Sequence, residues 1–149
     1  MGMRSKQYNA GFTFIELIFS VGLLFIIFGL TTGFYVRFFS QNAVENTQRQ
    51  LVASLRKAQI YAMMGRQNSN WGVNISAQKI TLFQGNAYAS RNTIFDEIYA
   101  LNNNITVAGF TEVVFARVTG LPSSTPLVTV SGVNEIKTVT VNTQGVVSK

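Results

Sequence analysis

From Leu17 to Val36 the chain carries no charged residue, and about twenty apolar residues is what a helix needs to cross a ~30 Å hydrocarbon core. A chain with such a run has to place it in lipid or against other protein. An ordinary secretory signal has an apolar core of about 7 to 15 residues followed by a small-x-small cleavage site. Here the run ends in Arg37-Phe38-Phe39-Ser40, and with no cysteine present a lipoprotein signal is excluded. Residues 1–11 carry Arg4 and Lys6 and no acid. The positive-inside rule then keeps that end in the cytoplasm and sends everything after Arg37 outward.

The remaining composition narrows the chemistry. At 149 residues there is room for one domain plus this appendage, with no Pro/Gly/Ser linker between two cores. Without histidine or cysteine, zinc sites, His-based triads and thiol nucleophiles are excluded. Ser54-Leu-Arg-Lys57 matches S-x-x-K but lacks the companion S-D-N and K-T-G elements of the acyl-serine enzymes. Asp96-Glu97 is the only adjacent carboxylate pair, and no third acid lies near enough in sequence to complete a metal site. No cofactor is implied, and the expected answer is not an enzyme. The net charge of +6 is spread thinly, with no basic run longer than Arg56-Lys57, so DNA is a minor candidate among partners.

Glu16 does not fit a plain membrane anchor. A carboxylate at the centre of a bilayer costs about 2.5 to 3.5 kcal/mol on insertion scales, and less near its edge. Read with its neighbours, Gly11-Phe12-Thr13-Phe14-Ile15-Glu16-Leu17 resembles the prepilin peptidase site of type IV pilins and type II secretion pseudopilins. That resemblance implies leader cleavage between Gly11 and Phe12, N-methylation of Phe12, and a role in assembly for Glu16. It also implies other pilin subunits, a prepilin peptidase, an inner-membrane platform protein and an assembly ATPase as partners. Membrane lipid would surround the subunit before assembly. The physics agrees: cleavage exposes an ammonium on Phe12, and a neighbouring subunit's Glu16 offers the opposite charge in the same apolar setting.

Past Arg37 the helical pattern continues to about Met64, free of proline and glycine until Gly65. Val44, Leu51, Leu55, Ala58 and Ala62 share one face at 100° per residue, with Arg49 and Arg56 turned away. Phe12 to Met64 as one helix would be ~80 Å long, more than a globular domain of this size needs. After Gly65, alternating runs predict strands over 71–75 and 79–83, paired around Ser76-Ala77-Gln78, and further strands over 112–118, 127–130, 136–141 and 146–148. Asn102-Asn103-Asn104 marks a loop. Helix followed by strands predicts an α+β fold in which the Leu51/Leu55 face covers an antiparallel sheet. The expected divisions are a leader over 1–11, a transmembrane or filament-core helix over 12–36, its amphipathic half over 37–65 and a β-rich domain over 66–149. The helix end, Trp71-Gly72 and the segment from Lys137 to Val146 are similar to minor pilins and pseudopilins of the GspH/FimT type. This implies a structural filament subunit, in the cytoplasmic membrane before assembly and in a cell-surface or periplasmic filament afterwards. The alternative is a minor or tip pilin that binds a ligand or DNA.

Overall fold

The computed structural model describes residues 11–133 and 135–149, with backbone only over 31–40. The leader charges Arg4 and Lys6 lie outside the described residues. The chain divides into two compact units, Met1–Val36 and Arg37–Lys149. Helix α1 (Phe14–Met63) begins in the first and ends in the second.

In the second unit the expected stripe forms the helix face of the core: Val44, Leu51, Leu55, Ala58 and Ala62 have no exposed surface. Val52 joins them, together with the polar Thr47, Gln48 and Ser54. The helix stops where glycine permits it. Gly65 takes a left-handed φ of 62° and its N–H bonds the carbonyl of Ala62 at 2.9 Å, closing the last turn.

The rest of the unit is two four-stranded antiparallel sheets, where one sheet was expected. The first has the order β3-β2-β1-β5, with β1 Trp71–Ser76, β2 Lys79–Gln84, β3 Asn92–Ala100 and β5 Glu112–Phe115. The second has the order β4-β6-β7-β8, with β4 Thr106–Ala108, β6 Leu127–Ser131, β7 Ile136–Val141 and β8 Val147–Ser148. The β1–β2 hairpin turns on Ala77 and Gln78, both at positive φ (48° and 59°), as a two-residue turn with the twist of its strands requires. Trp71, Phe83 and Phe115 are buried and Phe110 is half-buried. Gly72 is held small: a Cβ there would lie 2.6 Å from the Phe83 ring and 2.8 Å from the Val113 carbonyl oxygen.

Two expectations need correcting. β3 and β4 have no counterpart among the expected strands, and Asp96-Glu97 lies within β3. β5 ends at Phe115, not 118, because the chain turns at Ala116–Gly120 and Val118 adopts φ 71° with its N–H on the Ala62 carbonyl. Among the described residues no helix is long and apolar enough to cross a membrane; the span expected over Leu17 to Val36 extends beyond them. The part of that run from 31 to 36 lies outside the residues whose side chains are described.

Candidate assembly segment

Gly11, Phe12 and Thr13 precede the helix as exposed, non-helical chain. Thr13 starts it: its Oγ1 accepts the Glu16 N–H at 3.4 Å and its carbonyl accepts the Leu17 N–H at 3.2 Å. This is the forward half of a capping box, and the T-x-x-E spacing before an apolar run is the sequence signal for it, although the peptidase-site motif does not single out Thr13. Glu16 therefore occupies the first helical turn, where the helix dipole favours a negative charge. Its carbonyl also accepts the Ser20 hydroxyl at 2.8 Å. Among the described residues no cation pairs with the Glu16 carboxylate.

From Leu17 to Leu30 the helix carries no charge and Ser20 is its only hydroxyl. Every large apolar side chain from Phe12 to Leu30 is exposed, from 42% at Val21 to 82% at Phe12. The largest apolar patch on a typical monomer is about 300 to 600 Å², and a helix clothed all round in Phe, Leu and Ile exceeds that several-fold. Burying one such side chain stabilises by roughly 1.5 to 3 kcal/mol, so this segment gains heavily from any apolar surroundings.

In the second unit two ion pairs engage the acids of β3. Lys57 on α1 meets Glu97 on β3 at 2.5 Å, and the Tyr99 hydroxyl donates to the same carboxylate at 2.9 Å. The hydrogen bond to Glu97 raises the Lys57 ammonium above its usual range, and the same carboxylate raises Tyr99. For Glu97 itself, burial pushes upward, but the hydrogen bonds from Lys57 and Tyr99 outweigh it and hold the carboxyl below the usual range. Arg91 bonds Asp96 at 2.8 Å and lies over the Tyr88 ring. An open groove of about 640 Å³ runs between Asn42–Gln50 of α1 and Ile98–Asn102, lined mainly by carboxamides and small apolar groups. Among the described residues no three His, Cys, Asp or Glu gather as metal ligands.

A helix laid across two antiparallel sheets, with an apolar extension ahead of it, defines an α+β protein of pilin-like fold. The chain is similar in structure to the minor pseudopilin EpsH of the type 2 secretion system of Vibrio cholerae. The TM-score is 0.55 at 12% identity, covering 70% of this chain and 94% of that one. No protein-family model and no curated protein matches the chain.

Proposed function

We propose that the chain is a structural subunit, a pilin or pseudopilin, of a type IV pilus-like filament. The observation that carries this is the solvent exposure of the large apolar side chains from Phe12 to Leu30, on a helix that begins directly after an exposed Gly11-Phe12 junction. A peptidase requires an accessible, non-helical peptide, and that junction supplies one. Before assembly the uncharged run from Leu17 to Val36 sits in the cytoplasmic membrane with the sheets outside. After cleavage it moves from lipid to the apolar flanks of neighbouring helices, which keeps its hydrocarbon out of water throughout. The new Phe12 ammonium, a site for methylation, pairs with Glu16 of an adjacent subunit. A helical array of such non-closing contacts grows as a filament. Prepilin peptidase, a platform protein and an assembly ATPase are the partners this life cycle requires. The structural likeness to a minor pseudopilin supports the reading at the level of fold.

Cleavage is the first test. With Gly11→Leu the bulkier side chain before the cut should block the peptidase, and the intact mass of the membrane-extracted protein should retain residues 1–11. A Gly11→Leu chain trimmed to the same mature mass as the wild type would remove the basis for the processing step.

A further inference from the structure

At the C-terminal end of α1 the second unit leaves a second apolar surface uncovered. Ile60, Met63 and Met64 are 53%, 51% and 75% exposed, and Val118 and Leu121 are 67% and 48% exposed. They are neighbours. The Val118 N–H bonds the Ala62 carbonyl at 2.9 Å, and a Cβ on Gly120 would fall 2.5 Å from Met63 Cγ, so the Ala116–Leu121 turn lies against the last turn of the helix.

Two exposed arginines flank this surface, Arg56 one helical turn before Ile60 and Arg117 next to Val118. Arg56 donates to the Val147 carbonyl at 3.0 Å and Arg117 donates to Asn68 Oδ1. A carbonyl and a carboxamide orient a guanidinium without neutralising it. Among the described residues neither has a carboxylate partner. Arg66 turns instead over the Tyr61 and Trp71 rings, near enough to Glu97 for its charge to lower that carboxyl.

A second copy of this unit has little to offer in return. The chain has six acids. Glu45, Asp96, Glu97 and Glu135 are paired with Arg49, Arg91, Lys57 and Lys137, and Glu112 accepts the Tyr88 N–H at 3.0 Å. Among the described residues Glu112 and Glu16 alone lack a cationic partner; Glu112 is half-buried and Glu16 belongs to the other unit. Two copies meeting through this same surface would set arginine against arginine.

We propose that the Met63/Met64/Val118 surface docks a different protein chain, one whose contact surface is apolar with a rim of carboxylates. The flexible thioethers suit an apolar anchor, and the arginine rim selects the sign of the partner. That this partner is another subunit of the same assembly rests on the filament reading. This chain is then a subunit of hetero-contacts, joined to an acidic neighbour, rather than one that extends a filament by repeating itself.

The test places a photoreactive benzophenone residue at position 64 of the full chain in its own cells, with the cross-linked segment sequenced by mass spectrometry. The expected adduct is to a non-identical chain, within an apolar segment bearing Asp or Glu. Its yield should fall at least tenfold when Arg56→Glu is combined with Arg117→Glu, and persist with Arg56→Lys and Arg117→Lys, which keep the charge and control for folding. An adduct to a second copy, to lipid or to DNA overturns the proposal, as does a segment without acids, a yield indifferent to charge sign, or no adduct at all. Filaments that form normally without the adduct sink this inference alone. An adduct in cells whose subunit never enters a filament sinks the filament reading and leaves the docking surface standing.

Discussion

The pair of Lys57 and Glu97 ties α1 to β3 by a single contact, and its energetics are set by partial exposure: 38% of the lysine side chain and 32% of the glutamate remain accessible. Solvent screening at that exposure limits the pair to roughly 0.2 to 1 kcal/mol. The Glu97 pKa is lowered in the folded state, so its contribution is present above the unfolded carboxylate range and is lost as pH falls through the folded value. The Lys57 pKa is raised, so its contribution is present below the unfolded value and lost as pH rises through the folded one. Both are in force near neutrality. Glu97→Gln should therefore lower thermal stability slightly at pH 7, and the difference from wild type should shrink in acid and vanish once the pH has fallen through the folded Glu97 value, which lies below the usual carboxylate range. A difference that persists unchanged in acid would mean that the side chain acts through packing and not through charge.

At the scale of elements, what can be read from the sequence depends on which way the side chains point. The α1 stripe and the β1–β2 hairpin obey the simple pattern of apolar groups inward, and both are legible. β3 blurs it: Ile94 and Ile98 are 83% and 56% exposed on one face, while on the other Phe95 and Tyr99 pack against the core and Glu97 between them meets Lys57. Apolar residues on both faces, with acids among them, leave no clear alternation, which hides the longest strand and with it the division into two sheets. β4, three residues long, is too short to show any period. The assembly segment is legible as a motif, since Gly11, Phe12 and Glu16 stand out in sequence. Thr13 is not, because its role depends on where the helix starts. The element boundary yields its own prediction. Among the residues whose side chains are described, the core of the second unit begins at Ala43, so deleting residues 1–37 should leave a folded, soluble monomer with the α1 stripe still on both sheets. Size-exclusion chromatography and circular dichroism would check this, and a truncated chain that stays insoluble or still forms filaments would contradict the assignment of polymerisation to the removed segment.

On the scale of the whole molecule, Glu16 has two employments with different magnitudes. Within one chain it is a first-turn acid at a helix N-terminus, worth about 0.3 to 1 kcal/mol, and its replacement by Gln would lower helix stability by no more than that. In a filament it is the partner of a Phe12 ammonium in apolar surroundings, and removing one member of a buried pair costs about 3 to 5 kcal/mol because the other charge stays behind. At about 1.4 kcal/mol per decade the first effect changes an equilibrium less than tenfold, and the second changes it by roughly a hundredfold or more. Glu16→Gln should thus be made, inserted and cleaved normally, yet accumulate in the membrane instead of entering filaments. Shearing cells that express both forms at equal levels, and comparing filament-borne with membrane-borne subunit, separates the two. Because the neutral side chain also removes a desolvation cost in lipid, the membrane pool should be at least as large as for the wild type. Incorporation within a few-fold of wild type would assign Glu16 to helix initiation alone and leave the Phe12 ammonium to find its partner elsewhere.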